Sequence, residues 1–166
     1  MEHGAVGRLE QIHTSGGGAP KATVSSAEVG VRGLAGDTQT ERAHHGRPFQ
    51  AVSLYSHEVI ESLQREGHPI EPGSTGENLT ISGLEWATLR PGLRLAFGDV
   101  GDDANTAPVV LEITSWAPPC KNIAPSFADR RFDRIDHDKH PGWSRAYAGV
   151  VQTGSLSPGA PVTLLP

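Results

Sequence analysis

The sequence is short of the residues on which several common protein classes depend. It holds one cysteine, Cys120, in 166 residues, so an internal disulfide and a cysteine-rich zinc framework are both excluded. Phe, Trp and Tyr together make up only 5%. No apolar run approaches the roughly 20 residues that a membrane-spanning helix needs. Basic charge is not in excess: 14 Lys and Arg stand against 19 Asp and Glu, for a net charge of −5 and a pI near 5.9. A broad electrostatic footprint for nucleic acid is therefore missing. Met1-Glu2-His3-Gly4 lacks both the basic and the apolar segment of a secretory signal. The expected setting is cytoplasmic and reducing, away from membranes and nucleic acid.

Glycine and proline are abundant instead, at 20 and 13 residues. So many breakers leave little room for long helices and argue against a bundle or coiled coil. One turn-rich, all-β domain spanning 1–166 is the expectation. Val6 to His13 reads as a first strand ending at Ser15-Gly16-Gly17-Gly18, and Val24 to Val31 as a second. A long polar connection, Gly33 to Pro48, comes next; connections of that length inside compact domains are often functional. Phe49 to Tyr55 reads as a strand. Ser56 then caps a helix over His57 to Glu66, with Val59, Ile60 and Leu63 on its apolar face and Gly67 ending it.

Shorter strands are expected at Glu77 to Ile81 and Leu93 to Phe97. The clearest is Val109 to Trp116, where Val109, Leu111 and Ile113 alternate with polar residues. Residues 125–140 are charged and predict a short helix or an irregular excursion. Tyr147 to Gln152 and Pro161 to Leu165 read as a closing pair around Ser157-Pro158-Gly159. Seven or eight short strands with one helix point to a closed or nearly closed barrel, because closure removes exposed edges.

Five groups of residues carry possible chemistry. Cys120 comes after a strong strand and two prolines and precedes Lys121, whose charge favours the thiolate. The competing reading is a buried structural thiol. Asp37 and the pair His44-His45 lie in the long polar connection, where a carboxylate could orient an imidazole, or where Gly36-Asp37 simply forms a turn. Gly76-Glu77-Asn78 offers close backbone approach and a side-chain amide, against an ordinary start of a strand. Strand alternation would allow only one of Glu77 and Asn78 to face a pocket. His137 and His140 are three apart, but their charged, Pro141-Gly142-terminated surroundings favour a solvated loop over a metal site, and Arg130, Arg131 and Arg134 read as charged surface or a small anion site.

In order along the chain stand Gly33-Leu34-Ala35-Gly36-Asp37, His45-Gly46, Ala51-Val52-Ser53-Leu54-Tyr55, Gly76-Glu77-Asn78-Leu79, Gly83-Leu84, Gly92, Gly98, Pro119-Cys120, Gly142-Trp143, Gly149-Val150-Val151 and Gly154. This ordered set resembles the MOSC domain, named for the C-terminal domain of eukaryotic molybdenum cofactor sulfurases. It is most similar to small stand-alone bacterial members, including those that reduce N-hydroxylated purines. The resemblance covers about residues 5–165.

The resemblance implies a MOSC-type β-barrel with one or a few peripheral helices, and binding of the molybdenum cofactor (molybdopterin). It implies that Cys120 ligates molybdenum, or in the sulfurase-like alternative carries a persulfide. Asn78, with Gly76 and Glu77, matches a cofactor-binding position, and Asp37 and His45 match a polar loop lining the same pocket and are candidates for proton handling. Lys121 and Arg47 are further candidates for cofactor contact, and Lys21 and Arg32 are basic residues placed to meet a phosphate. Relatives continue the His-Gly pair with a second Gly and an acidic residue; Arg47 and Phe49 stand there in this sequence, with Pro48 kept.

The implied activity is reduction of N-hydroxylated small molecules, with electrons from a separate protein because no G-x-G-x-x-G dinucleotide motif is present. A sulfur carrier served by a sulfur-donor protein is the first alternative. A non-catalytic cofactor-binding or carrier module is the second. No motif fixes the oligomeric state.

Overall fold

The computed structural model describes residues 6–37, 50–99 and 107–166. Its strands are β1 (Gly7–Thr14), β2 (Ala22–Val24), β3 (Ala27–Gly30), β4 (Gly33–Leu34), β5 (Val52–Ser56), β6 (Leu79–Ser82), β7 (Arg94–Phe97), β8 (Val109–Trp116), β9 (Ala146–Gln152), β10 (Gly154–Leu156) and β11 (Pro161–Leu164), with helix α1 (His57–Arg65) between β5 and β6. Strands β11, β7, β8, β9, β5, β6 and β1 pair in that order, and β1 pairs again with β11, which closes a barrel of seven strands. Strand β2 extends one edge by pairing with β1, while β10, β3 and β4 form a small separate sheet. The all-β barrel expected from the sequence is the fold observed.

Closure explains the alternation of the sequence. Inward residues such as Leu9, Leu54, Leu79, Ile81, Leu95 and Leu111 are completely buried, and each contributes about 2 kcal/mol of burial. Strands β5 and β6 run parallel, which requires a crossover, and α1 supplies it. Its N-cap is Ser56, whose hydroxyl accepts from the Val59 amide at 3.1 Å. Ile60 and Leu63 bury its inner face against the barrel.

Two expectations are corrected. The run expected as one strand from Val24 to Val31 is two, β2 and β3, parted at Ser25-Ser26 and assigned to different sheets. The C-terminal strands do not form a closing pair: β9 lies between β8 and β5, β10 turns away to pair with β3, and β11 inserts between β7 and β1. Ser157-Pro158-Gly159 make a turn, but the strands on its two sides, β10 and β11, belong to different sheets, and the Gly159 amide donates to the Leu9 carbonyl on β1. Residues 125–140 form the irregular excursion expected: the 3-10 turn Lys121–Ser126 ends in them and Phe132–Ile135 follows, and Pro125 prevents a continuous helix.

One irregularity positions the later chemistry. In the β8–β9 ladder Ile113 faces Ala148 and Ser115 faces Tyr147, so Thr114 is an extra residue. Such a bulge bends its strand and re-aims the chain beyond it. Here that chain is Trp116 and the loop to Cys120.

Candidate functional site

A row of partners runs across the barrel wall from the end of β1 through the first residues of β6, β5 and β9 to the end of β8. His13 near the end of β1 donates its amide to the Asn78 carbonyl at 2.7 Å, and Asn78 donates its own to the Ser53 carbonyl at 2.9 Å. Ser53 is the cross-strand partner of Tyr147, and Tyr147 that of Ser115. Trp116, paired with Ala146, then leads to Cys120. The topology thus joins residues far apart in sequence into one row across the barrel wall.

The turn before β6 is built around Glu77. Its buried carboxylate accepts from the Gly73 amide and, at 2.7 Å, from the Thr75 hydroxyl. Burial pushes the Glu77 carboxyl up, while the bonds from Thr75 and Gly73 and the charge of Arg145 pull it down. Gly73 has φ +86°, and a Cβ there would lie 2.6 Å from the Lys21 carbonyl oxygen and 2.8 Å from the His13 ring. Only glycine fits this crossing. The Lys21 amide donates to the Gly73 carbonyl at 2.9 Å, and the Ser126 hydroxyl donates to that of Ser74 at 2.9 Å, tying the turn to two neighbouring loops.

Asn78 is completely buried and fully engaged. Its Oδ1 accepts from the Ser53 amide at 3.0 Å, and its Nδ2 donates to the His13 carbonyl and to Asp37 Oδ2, both at 3.1 Å. Asp37 Oδ2 also receives Lys21 Nζ at 2.8 Å, and its Oδ1 receives the Ser15 amide at 3.0 Å. Lys21 and Asp37 are therefore a buried ion pair, with side chains 5% and 3% exposed. Burial, with the charge of Lys21 adding to it, pushes His13 down to about 4, against smaller opposing effects of backbone bonds. The imidazole is neutral at physiological pH.

Cys120 is exposed, so the buried structural reading of this thiol does not hold. It sits in extended backbone at the head of the Lys121–Ser126 turn, and its carbonyl accepts from the Ile123 amide at 3.1 Å. Arg145 anchors the preceding segment from behind: its carbonyl accepts from the Ala117 amide at 2.9 Å, and its Nη2 donates to the Pro118 carbonyl at 3.3 Å. Its Nη1 donates to the Thr75 carbonyl at 2.6 Å. The phenol of Tyr147, on β9, is pushed up by burial, pulled down by Arg145 and pushed up again by Cys120.

The sequence-predicted residues thus divide. Asn78 and Asp37 touch directly, and Glu77 is joined to the Cys120 segment through Thr75 and Arg145. Gly76 has φ +84°, and its carbonyl accepts from the Ser53 hydroxyl at 3.2 Å. Lys121 is exposed beside Cys120, and Arg32 is exposed in the turn between β3 and β4. His45 and Arg47 lie outside the described residues. Lys21, expected to meet a phosphate, meets Asp37. Glu77 and Asn78 are both buried, in place of the single inward residue expected, because they precede β6 and do not share its alternation.

His13, Ser53, Arg145 and Tyr147 were missed by sequence reasoning. Arg145 left a signal: it is a lone charge leading an otherwise apolar strand, Ala146-Tyr147-Ala148-Gly149-Val150. Elsewhere, His137 stacks on Trp116 at 4.5 Å, and Arg134 lies 4.0 Å over the Trp143 ring while pairing with Glu66. These contacts make the 130–140 stretch a packed charged surface. Among the described residues no group of three His, Cys, Asp or Glu is placed to hold a metal, and no helix is long and apolar enough to cross a membrane.

Comparison with known proteins decides the family. The MOSC domain model matches residues 41–163, which include Asn78 and Cys120. The chain belongs to the MOSC domain family. MOSC domains are associated with binding of the molybdenum cofactor. No curated protein matches this MOSC chain significantly in sequence. Solved structures do match in fold. YiiM from Geobacillus stearothermophilus is 22% identical with a TM-score of 0.63, covering 98% of this chain and 74% of its own. YiiM from Escherichia coli is 21% identical with a TM-score of 0.65, covering 96% and 70%. YUAD protein from Bacillus subtilis is 15% identical with a TM-score of 0.69, covering 95% and 94%. These likenesses extend the MOSC barrel over the segment before residue 41, where Asp37 and Lys21 lie.

The residues present suit a molybdenum cofactor. An exposed thiol is a soft donor matched to a thiol-rich metal centre. Arg145, nine-tenths buried with an unpartnered Nε, is a cation suited to an anionic neighbour.

Proposed function

We propose that this MOSC protein binds the molybdenum cofactor through Cys120 and reduces N-hydroxylated small molecules, with electrons delivered by a separate protein. The observation that carries the reading is the exposed Cys120 thiol, on a Pro118-Pro119 segment that Arg145 ties to Thr75 in the turn leading to Asn78 and its Asp37 partner. When bound, the cofactor supplies the two-electron chemistry that N–O cleavage needs. The protein supplies position and protons. Two stiff prolines fix the approach to Cys120, and the Arg145 bonds to the Thr75 and Pro118 carbonyls hold that segment against the Glu77 turn. Asn78 and Lys21 occupy Asp37 Oδ2, and Ser15 occupies Oδ1, so Asp37 acts as their anchor. His45 is then the group to which proton delivery to the departing oxygen is assigned. Lys121 and Arg47 are the groups offered to the anionic part of the cofactor.

Exposure of Cys120 also suits a second reading, a persulfide carrier, because a donor protein could reach the thiol directly. Molybdenum analysis separates the two after expression in a host that makes the cofactor. About one molybdenum per chain in the wild type, and little in Cys120→Ser, is the expected result. Full metal and full hydroxylamine reduction in Cys120→Ser would remove Cys120 from both readings. Retained cofactor without reduction of any N-hydroxylated compound by an artificial donor would leave a binding module.

A further inference from the structure

Two cations are buried near this row, and they are treated differently. Lys21 is matched by Asp37 at 2.8 Å. Arg145, 8% exposed, has no carboxylate within ion-pair reach among the described residues. Its Nη1 and Nη2 donate to the carbonyls of Thr75 and Pro118, and its Nε has no partner. Glu77 is the carboxylate its charge reaches, yet both Glu77 oxygens are already taken by Gly73 and Thr75. Carbonyl dipoles solvate a guanidinium without neutralising it. Burying such a charge costs several kcal/mol, a cost that an anionic neighbour offsets.

The backbone links Arg145 to the segment that carries Cys120. Ala117 pairs with Arg145, Nη2 holds Pro118, and Cys120 comes two residues later, while Tyr147 feels both Arg145 and Cys120. We propose that Arg145 is a positioning residue that keeps the surroundings of Cys120 positively charged, so that the thiol preferentially meets anionic groups. The inference rests on the reading of Cys120 as the reacting thiol and deepens it. A purely structural bolt would need the two carbonyl bonds alone. Net positive potential beside the sulfur, in a protein of net charge −5, is the added content.

Alkylation of protein free of molybdenum tests this directly, because Cys120 is the sole cysteine in the sequence. Iodoacetate is anionic and iodoacetamide neutral, and both react with the thiolate, so their rate ratio at one pH cancels thiolate fraction and accessibility. A unit charge a few ångströms away changes such a ratio by roughly threefold to tenfold. The wild-type ratio is expected to exceed that of the peptide Pro-Pro-Cys-Lys-Asn by at least about threefold. Arg145→Gln should bring it down to the peptide value, and Arg145→Lys should keep it high. A folded Arg145→Gln protein with the wild-type ratio overturns the proposal, as does an Arg145→Lys protein that behaves like the Gln variant. If Arg145→Gln does not fold, the wild-type comparison decides, and a ratio no higher than the peptide's overturns it. Molybdenum binding with a flat ratio would remove this inference and keep the proposed function. A raised ratio without molybdenum binding would do the reverse.

Discussion

Lys21 and Asp37, 16 residues apart, meet at 2.8 Å as a buried ion pair, and the same Asp37 oxygen receives the Asn78 amide at 3.1 Å. Breaking a buried pair from one side strands the other charge. Asp37→Asn should therefore destabilise the protein by about 3–5 kcal/mol, read from urea unfolding. Replacing both partners, as Lys21→Met with Asp37→Leu, should recover most of that loss. A double variant as unstable as the sum of the singles would show that the pair has no coupling.

His13 makes stability depend on pH in a defined window. Its ordinary value is 6.5, and burial pushes it down to about 4 in the folded protein. Above 6.5 both states hold a neutral ring and its contribution is complete. As pH falls from 6.5 towards 4 the unfolded chain takes a proton that the folded chain refuses, and stability is lost; below 4 the loss is finished. The span is about 3 kcal/mol. His13→Gln should flatten this part of the stability–pH profile while leaving the carboxylate-driven decline at lower pH. An unchanged slope in that variant would assign the window to another group.

Much of this was readable in the sequence, and the parts that were not share a physical reason. Strand β8 was legible to the residue, because Val109, Leu111 and Ile113 alternate over a ladder buried on one face. Helix α1 was legible from Ser56 to Gly67, because caps act locally. The barrel came from the need to remove edges. What escaped were pairings set by long-range closure. Nothing local in Pro161 to Leu164 says that it lies between β1 and β7 and not against β9. Asp37, Asn78 and Cys120 were legible as candidates, but the residues that hold them were not. His13 reads as an ordinary strand residue, and the role of Arg145 follows only from the fold that buries it.

The helix cap offers a local test. Ser56 accepts from the Val59 amide, and Ser56→Ala leaves that amide without its partner in a place 1% exposed. A loss of about 1 kcal/mol is expected, measured by denaturant midpoint, with no change in molybdenum content. A much larger loss would mean that Ser56 supports the barrel beyond capping α1.

Cys120→Ser should separate fold from chemistry. The side chain is exposed, and serine is nearly the same size, so stability should stay within about 0.5 kcal/mol of the wild type. The soft sulfur donor is lost all the same, so molybdenum content should collapse. Loss of stability together with loss of metal would point to a structural role that the exposed position does not suggest.

Gly73→Ala tests how tightly the turn binds its neighbours together. Its φ of +86° strains any side chain, and a Cβ would press on the Lys21 carbonyl oxygen at 2.6 Å and the His13 ring at 2.8 Å. Both neighbours are fixed, Lys21 by Asp37 and His13 by its amide bond to Asn78, so neither gives way cheaply. A cost of at least about 2 kcal/mol is expected from backbone strain and overpacking together. The consequence should also reach Cys120. Gly73 donates to Glu77, Glu77 orders Thr75, and Thr75 anchors the guanidinium that holds Pro118. Faster proteolysis of the 117–126 segment in Gly73→Ala, compared at equal fractions folded with the exposed-site variant Arg32→Gln, would show that strain travelling along these bonds. Cleavage equal in the two variants would confine the damage to the turn itself.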